Sequence, residues 1–485
     1  MASKEEKFIF WFNEIGKNDV HLVGGKNANL GEMYNNLNAA EKTGSSEQKI
    51  SVPFGFAIST AAYLHFIKAN NLGQKIAEIL QSLDTKNIKQ LEEKSLKVRE
   101  LILASPFPPD LEKEILEAFL ELAKNLGVPA GVLGVAVRSS SPEEDLTESS
   151  FAGLYESYLN IRGNEELLIN VKKVFASLFS ARGISYRYDG GYNTAEPAIS
   201  VTVQKMVRSD LGVSGIMFSL DTENGFSDLV LINASYGLGE VITKGEVTPD
   251  EYKILKSMIP KGPEAVIEKR LGSKEKKLVY GNNSAATKVV PVDEKERGSF
   301  ALSEGQIMQL AKLALDIEQY FGMAVDVEWA YDGQVNKFFV VQVRPQTAET
   351  KRRNSASQEF VLLETGSVIT EGLAVGKKVG AGNAHYIREL SRIGEFMAGE
   401  VLITDFADAN WEPAIKIAAA LVTNLGGRAS HAAIIARELG IPAVVGTNDA
   451  TVVIRDGQQI TVSCAEGEMG KVYQGILKFR PKGKS

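Results

Sequence analysis

Residues 325–345, VDVEWAYDGQVNKFFVVQVRP, have the pattern of two β-strands joined by a turn around DGQVNK. Side chains alternate between the two faces of a strand, so Asp326 and Glu328 share one face of the first strand. By the same rule Gln342 and Arg344 share one face of the second strand. The turn predicts that Asp326 lies opposite Arg344. It also predicts that Glu328 lies opposite Gln342.

The two faces of this hairpin differ in chemistry. One face is apolar and is expected to pack against a core: Val325, Val327, Trp329, Val341 and Val343. The other face offers two carboxylates, an amide oxygen and a guanidinium. Oxygen ligands of this kind suit Mg²⁺ when nucleotide phosphates complete the coordination shell. The alternative is a cross-strand ion pair and hydrogen bond on a solvent-facing surface, and we favour the metal–nucleotide interpretation.

A second informative stretch is 426–446, GGRASHAAIIARELGIPAVVG. Residues 432–439 favour a helix that ends at Gly440, and residues 443–445 favour a short buried strand. His431 therefore lies at or just before the first helical turn, where free N–H groups and the helix dipole stabilise negative charge. A phosphate carried on its imidazole would find donors there, with Arg428 close in sequence. From this stretch alone, an ordinary loop histidine is an equal alternative.

Four further segments suit a nucleotide. Lys26 follows two glycines between a strand-like run and a helix, and Arg138 ends a buried strand beside three serines. An ion pair between Arg138 and the acidic residues at 143–145 is the alternative for that arginine. Main-chain groups from Lys205 to Val207 are candidates for the adenine edge, and Glu240 in a glycine-rich loop for ribose or metal.

Composition narrows the class of protein. The chain has 485 residues, 44% of them hydrophobic, and a formal net charge of −7. This acidity argues against a general nucleic-acid or membrane-surface binder, and no apolar stretch approaches the length of a membrane span. Cys464 is the single cysteine, so an intrachain disulfide and a cysteine metal cluster are excluded. We expect a cytoplasmic protein.

The order of patterns predicts an α/β and α+β multi-domain protein. We expect a nucleotide-binding region at 1–347, with two subdomains that meet near residue 200. A polar linker follows at 348–360, then a smaller unit of short strands and one helix at 361–476. The tail at 477–485 is expected to be disordered from Lys478 onwards.

Taken in order, these motifs resemble those of the phosphoenolpyruvate synthase (pyruvate, water dikinase) family. The resemblance rests on GGKNANLGEM, VAVRSSSPEEDL, SFAGLYESYLN, FASLFSARGISYR, VQKMVRSDLGVSGIMFSLDT, ASYGLGE, DVEWAYDG, QVRPQT and GGRASHAAIIARELGIPAVVG. It implies an ATP-grasp nucleotide-binding region followed by a swivelling β/α phosphohistidine domain. The implied activity is a gluconeogenic conversion of ATP, pyruvate and water to AMP, phosphoenolpyruvate and phosphate, with Mg²⁺ as cofactor.

The resemblance also implies residue roles. His431 corresponds to the phosphorylated histidine, and Lys26 and Arg138 to phosphate-binding residues. The remaining correspondences are Glu328 and Gln342 as the metal-binding pair, Asp326 as the adjacent acidic position and Arg344 as the neighbouring arginine. Phosphoryl transfer depends mainly on positioning and charge neutralisation, which fits this set.

Two departures from the family pattern matter. Ala429 stands where the family has a threonine that a regulatory kinase phosphorylates, so we predict that this chain escapes such phosphorylation at that position. The chain is also expected to lack the C-terminal barrel that binds pyruvate, and so to perform only the ATP-to-histidine half-reaction by itself. A homodimer or a split-enzyme partner is then possible. Alternatives are an enzyme like pyruvate, phosphate dikinase or rifampicin phosphotransferase, or a non-catalytic nucleotide-binding module.

Overall fold

A computed structural model describes most of the chain. The described residues are 4–43, 50–85, 87–142, 156–189, 197–281, 286–345 and 359–482. Short 3-10 helices are present at Lys4–Glu6, Phe12–Glu14, Lys17–Asp19, Ser209–Leu211, Lys256–Lys261, Pro263–Ala265, Leu390–Glu395 and Ala409–Trp411.

The first sheet has five strands in the order β1-β2-β5-β3-β4, and every neighbouring pair is antiparallel. Its strands are β1 (Ile9–Trp11), β2 (Gly55–Ile58), β3 (Val135–Ser140), β4 (Ser157–Ile161) and β5 (Ser200–Lys205). Its helices are α1 (Val20–Thr43), α2 (Thr60–Ala69), α3 (Leu72–Leu80), α4 (Ile88–Ala104), α5 (Pro109–Asn125), α6 (Asn164–Ser177) and α7 (Ala181–Asp189). Apolar side chains of α2 to α7 form one core with this sheet, because each helix has a buried apolar stripe.

A second sheet has six strands in the order β13-β12-β6-β7-β8-β9. The elements of this region are β6 (Val213–Phe218), β7 (Leu229–Tyr236), α8 (Glu240–Thr243), β8 (Asp250–Leu255), β9 (Val266–Arg270), β10 (Lys276–Tyr280), β11 (Thr287–Pro291), α9 (Glu294–Arg297), α10 (Glu304–Phe321), β12 (Val325–Asp332) and β13 (Lys337–Pro345). Helix α10 begins at a capping box formed by Ser303 and Gln306 and ends at Gly322, which has φ 69°. Its buried stripe, together with α1, covers one face of the sheet.

The predicted hairpin is strands β12 and β13. Asp326 is paired with Arg344 and Glu328 with Gln342, so the predicted register is confirmed. A β-bulge after Glu328 then shifts the pairing by one residue. As a result Val340 packs in the core, and the expectation that Val341 would do so is wrong.

The C-terminal part of the described chain is a closed barrel of seven strands, in the order β15-β19-β18-β17-β16-β20-β21. Its elements, with two flanking strands, are β14 (Phe360–Leu362), β15 (Val368–Val375), β16 (Val379–Tyr386), β17 (Val401–Thr404), α11 (Glu412–Ile417), β18 (Ala420–Thr423), α12 (His431–Leu439), β19 (Ala443–Val445), α13 (Ala450–Val453), β20 (Gln459–Ser463), β21 (Met469–Gln474) and β22 (Phe479–Pro481). Alternation places Val422 inside the barrel and Leu421 outside, against the helices.

The expectation of a chain without a C-terminal barrel is not borne out, since this barrel occupies residues 368–474. It is built from the short strands that the sequence analysis assigned to the phosphohistidine unit, and it carries His431 at the start of α12. The barrel is antiparallel except for β16, β17, β18 and β19, whose parallel pairs place α11 and α12 on the outside.

The segments that enter and leave the barrel lie side by side. Strand β14 pairs with β22 in an antiparallel register in which Phe360 is opposite Pro481. The expected disorder is therefore wrong for 479–481, and residues 483–485 lie outside the described part, as do 348–358 of the predicted linker. No helix in the described ranges is long and apolar enough to cross a membrane.

Candidate functional site

A cavity of about 440 Å³ lies where the two sheets meet the barrel. Nine of the ten residues that the sequence analysis assigned to the site line it: Lys26, Arg138, Lys205, Val207, Glu240, Glu328, Gln342, Arg344 and His431. The tenth, Asp326, does not line the cavity. The fold thus places residues that are more than 400 positions apart in the chain, Lys26 and His431, in the lining of one cavity.

The hairpin supplies one wall of the cavity. Arg138 of β3 lies 4.0 Å from the carboxylate of Glu328 and donates a hydrogen bond of 3.2 Å to the carbonyl of Val341. Val341 is the extra residue of the bulge, with no partner residue in β12, and its carbonyl accepts from this arginine. The bulge therefore joins the two sheets at the cavity. The alternative partners of Arg138, at 143–145, lie outside the described residues.

Asp326 and Arg344 form a cross-strand ion pair. The Nε of Arg344 donates to Asp326 Oδ1 at 3.2 Å. Burial raises the pKa of the Asp326 carboxyl, and the charge of Arg344 opposes that rise. For these two residues the structure has the ion pair that the sequence analysis left as an alternative. Among the described residues, no group of three or more His, Cys, Asp or Glu side chains is arranged to hold a metal ion.

The glycines before Lys26 bring α1 close to β3. Gly24 has φ 73°, and a Cβ there would lie 2.4 Å from the carbonyl oxygen of Ser140. The run before these glycines is helical from Val20, so the predicted strand-like segment is wrong, and Gly24 interrupts the helix instead. The backbone N–H of Asn27 donates to the hydroxyl of Ser140, which fixes the turn that presents Lys26 to the cavity.

Glu240 begins helix α8 and forms an ion pair of 2.6 Å with Lys244. Lys244 also lines the cavity and was missed by the sequence analysis, although its spacing of four residues from Glu240 is the usual signal of a helical ion pair. The next residue, Gly245, has φ 73°, and a Cβ at this position would lie 3.0 Å from Cβ of Ser430 in the barrel. The barrel also contributes Asp408 and Asn410 to the cavity lining. No motif in the sequence around them indicated a place in the site.

His431 is the first residue of α12, as predicted. Ser430 caps the helix by accepting from the amide of Ala433 at 3.4 Å, and Gly440 ends it with φ 66°. The Nδ1 of His431 has no hydrogen-bond partner among the described residues. Burial, reinforced by the nearby positive charges of Arg344 and others, lowers its pKa to about 3. The imidazole is therefore neutral and able to act as a nucleophile.

Arg428 does not reach the cavity, contrary to its expected place beside a phosphate. Its guanidinium is buried, 3.3 Å from the carboxylate of Glu251 in β8. It also donates to the carbonyls of Glu468 at 3.0 Å and Ala374 at 3.4 Å. Arg428 therefore fastens the loop before His431 to the barrel and to the second sheet.

Comparisons with known proteins agree with this architecture. Residues 20–363 match the family "Pyruvate phosphate dikinase, AMP/ATP-binding domain", and residues 396–467 match "PEP-utilising enzyme, mobile domain". The second match includes His431.

Relatives named phosphoenolpyruvate synthase are similar along nearly the whole chain. The protein from Aquifex aeolicus is 45% identical over 99% of this chain and 56% of its own length. The protein from Synechocystis is 45% identical over 99% of this chain and 59% of its own length. The protein from Escherichia coli is 43% identical over 98% and 59%. The chain thus spans a little over half the length of these relatives. With 20–363 matched, it is a multi-domain α/β protein that belongs to the pyruvate phosphate dikinase AMP/ATP-binding domain family.

Proposed function

We propose that this chain transfers a phosphoryl group from ATP to His431, as the first half of a phosphoenolpyruvate synthase reaction. The observation that carries the proposal is that His431 of the barrel lines the same cavity as Lys26, Arg138 and Arg344. A neutral imidazole beside three cations is suited to attack on a polyphosphate. The names of the relatives, which are phosphoenolpyruvate synthases, support the same chemistry.

Each wall of the cavity has a proposed task. Lys26, Arg138 and Arg344 neutralise the phosphates, since phosphoryl transfer is catalysed mainly by positioning and charge neutralisation. Lys205 to Val207 at the end of β5 offer main-chain groups to the adenine edge, and Glu240 binds the ribose. In fold terms we propose that the two sheets form an ATP-grasp region and that the barrel is the swivelling phosphohistidine domain.

The chemistry of the donors fits Mg²⁺. Glu328 and Gln342 are paired across two neighbouring strands and both line the cavity. Mg²⁺ is usually bound through one or two carboxylates, with waters and substrate phosphates in the remaining positions. When bound, the ion would neutralise phosphate charge. Asp326 is expected to act through Arg344, which it orients, because its carboxylate is turned to that guanidinium.

In the proposed step a lone pair of the His431 imidazole forms a bond to the β-phosphorus of ATP. The bond between that phosphorus and the oxygen that joins it to the α-phosphorus breaks, so AMP leaves with this oxygen and the histidine carries a pyrophosphoryl group. Water then forms a bond to the γ-phosphorus, the bond from that phosphorus to the oxygen bridging it to the β-phosphorus breaks, and inorganic phosphate leaves with the oxygen of the water. The β-phosphoryl stays on the histidine, and the protons of the water go to the released phosphate and to solvent. The low pKa of His431 keeps the lone pair available over the neutral range. The phosphohistidine at position 431 is then a covalent intermediate, which divides one transfer into two.

For the whole reaction we propose pyruvate as the final acceptor, because its phosphorylation gives the phosphoenolpyruvate of the relatives' name, and we propose a cytoplasmic setting. The histidine must visit a second site, so the barrel must move. The adjacent strands β14 and β22, through which the chain enters and leaves the barrel, are the natural place for that movement.

The test uses ATP labelled at the β-phosphoryl with Mg²⁺. We expect acid-labile, base-stable label on the wild type and on His65→Ala, a matched control whose imidazole pairs with Asp110 outside the cavity. His431→Ala should take up none. If labelling of His431 requires added inorganic phosphate, the result would favour an enzyme of the pyruvate, phosphate dikinase type. ATP binding without label on the wild type would contradict the proposal and favour a non-catalytic nucleotide-binding module.

A further inference from the structure

A buried ion pair joins helix α12 to the nucleotide-binding part of the protein. Arg437, six residues after His431 on the same helix, donates from Nη2 to Oε1 of Glu223 at 2.5 Å. The other carboxylate oxygen, Oε2, accepts the amide of Gly376 in the barrel at 2.8 Å. A single carboxylate of the nucleotide-binding part therefore binds the barrel at two points.

We propose that Glu223 is a positioning residue that sets His431 against the nucleotide cavity when the barrel is docked, an inference that rests on the proposed function. Glu223 does not line the cavity, so any effect on transfer must pass through its contacts with the barrel, of which the one with Arg437 is on α12. The Arg437 side chain is 12% exposed and that of Glu223 14%. Water therefore screens this pair little, and loss of either charge leaves the other buried.

The turn that carries Glu223 is fastened to the hairpin of the site. Just after β6, the amide of Ser219 donates to the carbonyl of Val325 at 3.0 Å, and its hydroxyl accepts the amide of Val325 at 2.9 Å. Asp221 then accepts the amide of Glu223 at 2.8 Å. Strand β6 also pairs directly with β12, which bears Glu328. The position of Glu223 is therefore tied to the wall that is proposed to hold the phosphates.

The barrel end of the contact is equally well defined. Besides Glu223, Arg437 Nη2 donates to the carbonyl of Arg428 at 3.1 Å, which ties α12 to the loop before His431. Other ion pairs across the same boundary act elsewhere. Glu412 of α11 pairs with Arg182, and Arg428 pairs with Glu251. Glu468 of the barrel pairs with Lys253 and Arg270 of the second sheet. Among these pairs, the Glu223–Arg437 pair is the one made by the helix that begins at His431.

The first experiment compares Glu223→Gln with Glu318→Gln. Glu318 is a matched control, because its carboxylate forms a 2.5 Å ion pair with Lys256 away from the barrel. A misplacement of about 1 Å can reduce a rate by about 100-fold. We therefore expect Glu223→Gln to slow labelling of His431 by about 10-fold to 100-fold, with the dissociation constant of ATP unchanged. Glu318→Gln should leave both quantities at wild-type values.

A second variant tests the pairing itself. Arg437→Gln should slow labelling as Glu223→Gln does, and the double variant should lose little more, because the two changes remove one interaction. Thermal unfolding of each variant, compared with that of Glu318→Gln, shows whether the fold is kept. Labelling of Glu223→Gln at the rate of Glu318→Gln would overturn the proposal.

A distance measurement separates this proposal from the proposed function. Spin labels on cysteines at Val335, in the hairpin turn, and Val452, on α13, report the docked distance, since both side chains are well exposed. The native Cys464 is buried and does not compete. Glu223→Gln should broaden the distribution, and Glu318→Gln should not. If the wild type takes up no label, the proposed function fails, while a broadened distribution still supports positioning by Glu223 and an unchanged one overturns it.

Discussion

Replacing Gly245 by alanine should slow phosphorylation of His431 without weakening ATP binding. Gly245 ends α8 in the nucleotide-binding part and has φ 73°. A Cβ at this position would lie 3.0 Å from Cβ of Ser430, the residue that caps the helix of His431. A contact this short forces the neighbour to move by a few tenths of an ångström. The displaced group is the loop that places His431 in the cavity.

Two separate costs follow from the structure. Alanine in a left-handed conformation costs about 1–2 kcal/mol, which lowers the free energy of unfolding. The displacement of the loop adds a kinetic cost. If about 1 Å of misplacement costs about 100-fold, a few tenths of an ångström predict a loss of about 3-fold to 10-fold in the rate.

Gly322→Ala separates these costs. Gly322 also ends a helix, with φ 69°, but no atom lies within 4 Å of the position that its Cβ would take. Both variants should lose a similar free energy of unfolding, measured in denaturant. Only Gly245→Ala should show a slower initial rate of His431 labelling at saturating ATP. Equal labelling rates in the two variants would refute the reasoning, because the contact with Ser430 would then have no kinetic consequence.

Other predictions concern the metal, the pH and regulation. Glu328→Gln should weaken Mg²⁺-dependent ATP binding by at least about 10-fold, as measured by metal titration. Asp326→Asn leaves an arginine without its carboxylate, so it should mainly lower the free energy of unfolding in denaturant, by about 1–3 kcal/mol. The prediction is contradicted if Asp326→Asn weakens Mg²⁺-dependent binding more than Glu328→Gln does. Burial lowers the pKa of His431 to about 3, so the imidazole binds fewer protons when the barrel is docked than when the imidazole is exposed to water. The docked state should therefore have its full stability above the ordinary histidine pKa and lose stability as the pH falls from there towards 3. Spin-label distances measured against pH should show this loss in the wild type and should not show it in His431→Ala. Ser430 is 2% exposed and Ala429 has no hydroxyl, so incubation with a regulatory kinase should place phosphate on neither residue. Phosphate on Ser430 would contradict this prediction and would show that the barrel undocks far enough to expose Ser430.

Local patterns predicted the elements that carry the site. The alternation of 325–345 predicted the hairpin and the pairing of Glu328 with Gln342, because strand periodicity and turn position depend only on neighbouring residues. The helix after His431 was predicted for the same reason, since its helix-forming run and its terminal Gly440 are local signals. The roles assigned to these residues stay predictions.

Contacts between distant segments were decided by the tertiary structure. The sequence contains no sign of the bulge that turns Val341 towards Arg138, because a bulge depends on how the neighbouring strands and sheets pack. Arg428, expected beside a phosphate, pairs with Glu251 instead, since a partner 177 positions away is not readable from a local motif. The sequence by itself thus determined which residues share a strand face or begin a helix. Only the packing of the barrel against the two sheets decided which charges face the cavity and which hold the barrel in place.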